Sequence, residues 1–462
     1  MYRAISSMIR STTLRGAGTA LAAAGLSLAQ AAPAQAAPPV TGIACTTSAP
    51  DTPSPTNRTF TLEATDGYIQ LPDGNTMYMW GYALGGGAFQ HPGPVLCVNE
   101  GDTVTVILNN SGTYHINDNV SIMFPGQDNV LANGLPAQPE GIGSALTSLT
   151  TSAPAGGSVT YTFTASHPGT FVYESGTKPQ QQVRMGLFGT LIVRPTLGAD
   201  HMYDRADSQF DNSEVFATGG QTLSEEYLVL LSEIEPYQHQ AAEAAMLAAS
   251  NVASPFSFNL DTYHARYWLI NGRGFPDSIS DNYSPFLPDQ PYGALARIHP
   301  YDALNHPSPG AIRYLNVGSE EFPFHPHGQN GLVIGRDGSP LANAAGGDLS
   351  FEKFAINIGP GQTWDVLFKW FDAENYSANP DTFPVVIPQV NNQEFGMFYS
   401  GSPFLGTQGT LPPGASTLNT CGEYYVISHN HALYQITSWG VNLTGPITYL
   451  RVDPPMPNSC TP

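Results

Sequence analysis

The sequence predicts an all-β protein that consists of two Greek-key β-sandwiches in tandem. Residues 158–164 alternate strictly between polar and apolar side chains, which is typical of a half-buried strand, and residues 103–108 behave similarly. The 47 glycines and 40 prolines supply many turns, while the 22 tyrosines and 22 phenylalanines argue against disorder. A weak internal repeat is the third observation behind this prediction.

The repeat has the same order of elements in each half of the chain. An opening strand is followed by a glycine turn, a middle strand and a closing strand. In the first half the matching segments are 101–106, 154–157 and 189–195, and in the second half they are 310–316, 359–362 and 446–454. Two tandem sandwiches with Greek-key connections would produce this order.

The repeat and the composition together predict the domain organisation. We expect a signal peptide, an extended leader, a first sandwich, a linker, a second sandwich with insertions, and a short tail. Their boundaries are 1–36, 37–57, 58–196, 197–221, 222–455 and 456–462. The one clear helix signal is the alanine-rich segment 240–250, interpreted as a surface insertion, and residues 374–420 are expected to be an inserted loop.

The first 36 residues have the features of a secretory signal peptide. Arg3, Arg10 and Arg15 form a positive head, residues 17–29 are apolar, and residues 34–36 offer a small-x-small cleavage site. The apolar stretch is too short for a membrane span, and the lack of an Arg-Arg pair favours general secretion over the twin-arginine route. We therefore expect a periplasmic or extracellular protein.

Charge and cysteine content limit the partners of the chain. The formal net charge of −21 becomes −24 once the three arginines of the predicted signal peptide are removed. An acidic surface of this kind disfavours nucleic acid and anionic membranes, and it attracts cations. The four cysteines of an exported chain predict two disulfides, and three pairings are open.

Two His-x-His pairs are the strongest functional signal. His325 and His327 form one pair, and His429 and His431 form the other. On a strand, residues i and i+2 point to the same face, so two such pairs on facing strands can present four imidazoles to one volume. Four imidazoles with no thiolate or carboxylate favour copper. The alternative is two unrelated surface pairs.

The chain resembles the multicopper oxidases over about residues 60–455. The resemblance is carried by Leu71-Pro72-Asp73-Gly74, by residues 185–189 and 322–328, and by residues 357–366, of which 322–328 resembles the family's His-Pro-Phe-His-x-His-Gly motif. It implies cupredoxin-like sandwiches and a copper cofactor. The family holds a three-copper cluster with four His-x-His pairs and a separate blue-copper site with a cysteine thiolate.

The resemblance breaks down at most of the copper ligands. Met123 and Pro125 occupy the first His-x-His slot, and Glu174 and Gly176 occupy the second. Met123 and Glu174 are either additional ligands or simple packing residues. At the blue-copper site, Phe322 replaces a histidine, Asn430 replaces the cysteine, and Pro446 stands near the axial methionine position. The resemblance therefore implies a chain without blue copper and without first-domain cluster ligands.

Two functions of different classes follow. The first is a copper-dependent oxidoreductase in which His325, His327, His429 and His431 hold one copper ion or at most two, and which acts on a small molecule or a metal ion. The second is a non-catalytic copper-binding, structural or interaction protein. An oligomer is possible through packing alone. The isolated histidines are interpreted as surface or hydrogen-bonded residues: His115, His167, His201, His239, His264, His299 and His306.

Overall fold

A computed structural model of the 462-residue chain describes most of the two predicted sandwiches. The described residues are 41–46, 56–212 without 113 and 117, 224–248, 256–371 without 257, 302 and 305, and 424–453 without 441 and 442. The predicted signal peptide, the whole of the predicted inserted loop 374–420, Cys421 and Cys460 lie outside these residues.

Ten strands form the two sheets of the first half. They are β1 (Cys45–Thr46), β2 (Asn57–Gln70), β3 (Thr76–Leu84), β4 (Val95–Asn99), β5 (Thr103–Asn110), β6 (Leu131–Ala132), β7 (Leu135–Pro136), β8 (Gly157–Thr164), β9 (Gly169–Glu174) and β10 (Phe188–Arg194).

The remaining strands belong to the second half. They are β11 (Glu226–Ile234), β12 (Tyr267–Ile270), β13 (Ala296–Ile298), β14 (Pro300–Tyr301), β15 (Gly310–Asn316), β16 (Phe322–Pro326), β17 (Gly331–Arg336), β18 (Ser339–Pro340), β19 (Phe351–Lys353), β20 (Ile356–Ile358), β21 (Thr363–Phe368), β22 (Trp370–Phe371), β23 (Tyr424–Asn430) and β24 (Ile447–Val452).

Both halves use the same strand order, as the sequence repeat predicts. In one sheet, β3-β2-β5-β8 corresponds to β12-β11-β15-β21. The pairing directions agree, since β2/β5 and β11/β15 are parallel whereas β5/β8 and β15/β21 are antiparallel. In the other sheet, β10 lies between parallel β4 and antiparallel β9, and β24 lies between parallel β13 and antiparallel β23. The prediction of an all-β protein built from two related sandwiches is confirmed.

The alternating strands place one apolar core inside each sandwich. In β8, Val159, Tyr161 and Phe163 are buried while the residues between them are partly exposed, as the strict alternation predicts. The first core contains these three side chains. The second core includes Trp268, Phe322 and Trp370, all fully buried. The sequence periodicity of two therefore sets which side chains enter each core.

Among the described residues, three short α-helices accompany the strands. They are α1 (Pro179–Met185), α2 (Pro236–Ala248) and α3 (Leu433–Ile436), and 3₁₀ turns cover Gly143–Ala145, Ala206–Ser208, Leu260–Thr262 and Asp277–Ile279. The alanine-rich segment is helical as predicted, but α2 begins four residues earlier. One face of α2 is not on the surface, because Gln238, His239 and Ala242 are buried and His239 Nδ1 donates to Tyr78 O at 2.7 Å. None of the helices in the described part of the chain is long and apolar enough to cross a membrane.

A buried ionic network joins the two sandwiches. Arg313 Nε donates to Glu226 Oε1 at 2.6 Å, and Arg313 Nη1 donates to Thr170 Oγ1 at 2.8 Å. Thr170 Oγ1 donates to Asp365 Oδ1 at 2.6 Å, and Arg194 donates to both carboxylate oxygens of Glu226. Burial alone would raise the pKa of Glu226, but the charges of Arg194 and Arg313 hold that pKa below its ordinary value. The carboxylate therefore stays charged inside the protein.

The described cysteines form one of the predicted disulfides. Cys45 and Cys97 are bonded, with their Cα atoms 5.5 Å apart, and the bond attaches β1 to β4. Part of the predicted linker packs on the second half. Met202, Tyr203 and Phe210 are buried against Ala311 and Leu367 of the second half.

Candidate metal centre

Two neighbouring strands carry the two His-x-His pairs. His325 on β16 lies directly opposite His429 on β23 in an antiparallel register. His327 and His431 follow the ends of these strands, and backbone hydrogen bonds hold both: His327 N–H donates to Ile427 O at 3.1 Å, and His431 N–H donates to Pro323 O at 2.7 Å. Because side chains alternate between the two faces of a strand, the two histidines of each pair point to the same face. All four imidazoles therefore lie on the same side of the sheet.

The four rings cluster at distances that suit a shared ion. Ring centroids are 4.5 Å apart for His325–His327, 5.0 Å for His327–His429, 5.5 Å for His429–His431, 5.6 Å for His325–His431 and 5.8 Å for His325–His429. Imidazoles bound to one ion with metal–nitrogen bonds of about 2.0 Å have their centroids roughly 5 Å apart. The backbone therefore places the rings where one metal ion could reach them.

Hydrogen bonds to carbonyl oxygens orient two of these rings. His325 Nδ1 contacts Phe354 O at 2.6 Å, and His429 Nδ1 contacts Asn430 O at 2.7 Å. Because a carbonyl oxygen only accepts, both Nδ1 atoms carry the proton, and in the neutral ring Nε2 keeps its lone pair. This is the arrangement in which a histidine ligand is usually held.

The protonation state of the central rings also favours metal binding. Burial, reinforced by the neighbouring His325, His429 and His431, lowers the pKa of His327 to about 4. Burial also lowers the pKa of His429. Both rings are therefore neutral at neutral pH, and neutral imidazole is the form that binds a metal ion.

The donor atoms themselves are less tightly gathered than the rings. His327 Nε2 and His429 Nε2 are 3.0 Å apart, close to the roughly 3.3 Å expected for two nitrogens on one tetrahedral ion. Among the described residues, no three of the four rings have donor atoms that all lie within 4.8 Å of one another. An ion at this place would require rotation of the other rings about their side-chain bonds. His431 is exposed, so the cluster is open to solvent.

A glycine directly follows the pair formed by His325 and His327. Gly328 follows His327 with φ of +88°, a conformation that favours glycine. A Cβ atom there would also clash with the ring of Trp370, which is part of the second core. The chain can therefore turn sharply after the histidines while they stay in place.

A second cluster of metal-binding side chain types was missed by the sequence reasoning. Glu225, His299 and His306 offer donor atoms within 4.8 Å of one another, and all three are buried. His299 and His306 are 3% and 4% exposed, so the surface alternative for these two histidines is wrong. No local motif signals the cluster, because its members come from separate segments of the chain.

Glu233 on β11 is a buried acid of the second sandwich. It should make the unfolding free energy of the chain depend on pH. Its Oε1 accepts from Tyr263 O–H at 3.1 Å and from Ser319 N–H at 2.5 Å. Burial, with Glu320 adding to it, raises the pKa of Glu233 from 4.5 to about 7. The folded chain then retains a proton that the unfolded chain releases, so this contribution is present below pH 4.5 and is lost as pH rises through 7.

We expect Glu233→Gln to remove most of that dependence. The shift corresponds to about 3 kcal/mol. Between pH 5 and pH 8 the unfolding free energy of the native chain should therefore fall by roughly that much relative to the unfolding free energy of the variant. Denaturant unfolding at both pH values measures it, with the exposed Glu352→Gln as the matched control. Equal pH dependence in the Glu233 variant and the native chain would contradict this assignment.

Comparison with known proteins finds a family similarity in the first half. Residues 65–197 match the family model described as multicopper oxidase. This segment is similar to a multicopper oxidase domain. No curated protein matches the chain. Among solved structures, the multicopper oxidase mgLAC has a TM-score of 0.51 at 19% identity, and the blue copper oxidase from Nitrosomonas europaea has 0.52 at 17%; each match covers 86% of both chains. These likenesses show that the cupredoxin-like fold extends over most of the chain.

Protein groups pack closely at the positions in this segment that correspond to the family's first two histidine pairs. Met123 and Glu174 pair through their backbones, with Met123 N–H donating to Glu174 O at 2.7 Å. The Ser121 hydroxyl accepts from Gly176 N–H at 3.1 Å and lies 2.9 Å from the Thr177 hydroxyl. In the described part of the chain, no hydrogen bond or ring contact links Met123 or Glu174 to the four imidazoles.

Protein side chains also fill the position that corresponds to the family's blue-copper site. Phe322 is fully buried in the second core, and Asn430 is fully buried between the histidines of the second pair. The Asn430 side chain donates to Gln435 Oε1, and Gln435 Nε2 donates to Glu320 Oε2 at 2.8 Å. Asn430 N–H donates to Pro446 O at 3.0 Å. Both described cysteines are in the disulfide, so within the described residues no thiolate reaches this position.

Proposed function

We propose that this multicopper oxidase relative is an exported copper protein whose all-histidine centre catalyses the oxidation of a small molecule. The convergence of His325, His327, His429 and His431 on one face of the second sandwich carries the proposal. A donor set made only of imidazoles suits copper, and the copper chemistry of the family is redox chemistry. The protein is proposed to act in the periplasm or outside the cell.

The chain's own residues supply binding and orientation. His325 and His429 are held by carbonyl oxygens of Phe354 and Asn430, which leaves the Nε2 lone pair of each ring available to a metal ion. His327 is neutral at neutral pH and lies against His429, and the exposed His431 leaves one side open to substrate and solvent. An open side is what a catalytic metal centre requires, whereas a structural centre is closed.

The surface beside the open side favours an aromatic substrate over a metal ion. Helix α3 starts two residues after His431 and exposes Leu433 (63%) and Tyr434 (40%). Trp439 is 54% exposed, and its ring lies 4.7 Å from that of Tyr434 with an interplanar angle of 32°. Exposed aromatic rings on the segment that follows His431 can bind other aromatic rings by stacking. We therefore assign a small phenolic compound as the substrate class.

A second function is favoured by a separate observation. The slots of the first two histidine pairs and of the blue copper are packed with protein groups, namely Met123, Glu174, Phe322 and Asn430. A protein in which side chains fill the blue-copper position, where electrons enter in the family, can still bind copper without catalysis. Both functions need the four histidines and differ only in turnover.

Oxygen uptake separates the two functions. Residues 37–462 are loaded with Cu(II), freed of excess metal and mixed with a phenol in air-saturated buffer. We expect oxygen consumption in proportion to phenol oxidised, without the intense blue band of a copper–thiolate bond. The exposed His264→Ala protein serves as the matched control and should retain the activity.

Three results of this experiment decide between the alternatives. Turnover that is lost in His327→Ala/His429→Ala supports the oxidoreductase. Bound copper without turnover contradicts catalysis and supports the binding protein. Absence of copper from the loaded native chain overturns both functions.

A further inference from the structure

We propose that Glu225, His299 and His306 form a second, buried site for a divalent transition-metal ion such as zinc. The site lies at the opposite end of the five-stranded sheet from the four histidines. On β23, His429 pairs with Ile447 and Tyr424 pairs with Val452, so the two ends are five residues, or about 17 Å, apart. His299 follows β13 directly, and next to it Asp453 N–H donates to Ile298 O at 2.9 Å.

The donor atoms already surround a small volume. Donors from Glu225, His299 and His306 all lie within 4.8 Å of one another. His299 Nδ1 contacts Glu225 Oε1, and His306 Nε2 lies 3.5 Å from that same oxygen. Asp211 Oδ2 lies 2.5 Å from His306 Nε2 and is the candidate fourth ligand. Zinc bonds of about 2.0–2.2 Å separate tetrahedral donors by roughly 3.4 Å, so small side-chain shifts would admit the ion.

The state of His306 is the independent indication of a missing ligand. Its ring is 4% exposed, and its Nδ1 is buried without a hydrogen-bond partner, while Nε2 forms an ion pair with Asp211 Oδ2 at 2.5 Å. Oε2 of Glu225 is likewise buried without a hydrogen bond. Buried polar atoms of this kind are costly and rare in folded proteins. A metal ion would use a nitrogen lone pair and a carboxylate oxygen together.

The charges around the cluster also suit a cation. Two carboxylates, Asp211 and Glu225, lie against two imidazoles. Asp453, whose Oδ2 lies 3.6 Å from His299 Nε2, engages two guanidinium groups: Arg297 Nε donates to Asp453 Oδ2 at 2.5 Å, and Arg451 Nε donates to Asp453 Oδ1 at 2.8 Å. A divalent ion would balance the two carboxylates with both imidazoles neutral, as in mixed histidine–carboxylate sites.

Burial and connectivity make this ion structural. Glu225 N–H donates to Asp211 O at 2.9 Å, and Ala311 N–H donates to Glu225 O at 2.7 Å. The ion would therefore join the start of β11, the end of β13 and the segment before β15. Since all three ligands are buried, the site has no open side for a substrate.

Zinc counting on the metal-stripped 37–462 chain tests the site. The variant His325→Ala/His429→Ala removes the first centre, and after incubation with zinc chloride and dialysis it should retain one zinc ion per chain. Zinc at roughly 100 times its dissociation constant should raise the melting temperature of this variant by several degrees. Adding Glu225→Gln, which keeps the size of the side chain, or His306→Gln should remove both the zinc and the shift.

The control and the contrary result are equally specific. In the same background, the exposed His264→Gln should keep the zinc and the shift. Retention of no zinc by His325→Ala/His429→Ala would overturn the proposal, and so would zinc retained equally after Glu225→Gln and His306→Gln. In either case the cluster is a proton-linked ion-pair network. Circular dichroism checks that each variant is folded. If His306→Gln does not fold, the zinc content of Glu225→Gln alone tests the proposal.

Discussion

His429→Ala should weaken Cu(II) binding by more than 100-fold relative to the native chain. Removal of a group that merely orients a metal ligand costs 10–100-fold in affinity, so loss of the ligand itself costs more than about 100-fold. His429 lies at the middle of the cluster, with ring centroids of three neighbours at 5.0–5.8 Å. Competition titration against a chelator of known copper affinity measures the effect.

The exposed His264→Ala is the matched control for this prediction. It removes an imidazole from the same sandwich, and copper affinity should be unchanged. His429 is half-buried, so its replacement should leave the fold intact by near-ultraviolet circular dichroism. Equal copper affinities for His429→Ala and His264→Ala would show that the four rings do not act as one site.

Arg313→Met should lower the unfolding free energy of the metal-free chain by about 3–5 kcal/mol. Arg313 is fully buried, and it donates to Glu226 Oε1 and Thr170 Oγ1. Its removal leaves two buried carboxylates, Glu226 and Asp365, with less compensating charge. The unfolding free energy falls because these buried carboxylates lose a compensating positive charge, and not because a favourable ion-pair energy is lost. Denaturant unfolding followed by tryptophan fluorescence measures it.

Arg205→Met is the matched control, because Arg205 makes the same kind of contact at the surface. It pairs with Asp207 and Asp348, whose side chains are more than half exposed. Exposed pairs contribute about 0–1 kcal/mol, so this variant should be nearly as stable as the native chain. Equal losses in the two variants would contradict the structural role assigned to the buried network.

The tandem fold could be predicted from sequence because its signals are local. Strand alternation at 158–164 and glycine turns at 154–157 and 359–362 recur in the same order in both halves. Those segments occupy equivalent places in the two sandwiches. Helix α1 was not predicted, since its seven residues are too few for a helical period to stand out. The buried Arg313–Glu226 pair was also hidden, because charged residues ordinarily indicate surface.

The first candidate centre has a signal in the sequence, whereas the second has none. His325 with His327 and His429 with His431 are two residues apart, and strand geometry alone turns each pair to one face. The family resemblance supplied the expectation that the two strands are neighbours. Glu225, His299 and His306 have no such spacing, and only the tertiary fold brings them together. Filling of the blue-copper position by Asn430 and Gln435 likewise depends on a contact with α3.

Anomalous X-ray diffraction at the copper absorption edge tests the central claim most directly. Crystals of the 37–462 chain grown with Cu(II) should show a copper peak within about 2.0–2.3 Å of ring nitrogens from at least three of His325, His327, His429 and His431. Ordered imidazoles with no copper peak among them, at full copper occupancy of the solution, would contradict the account.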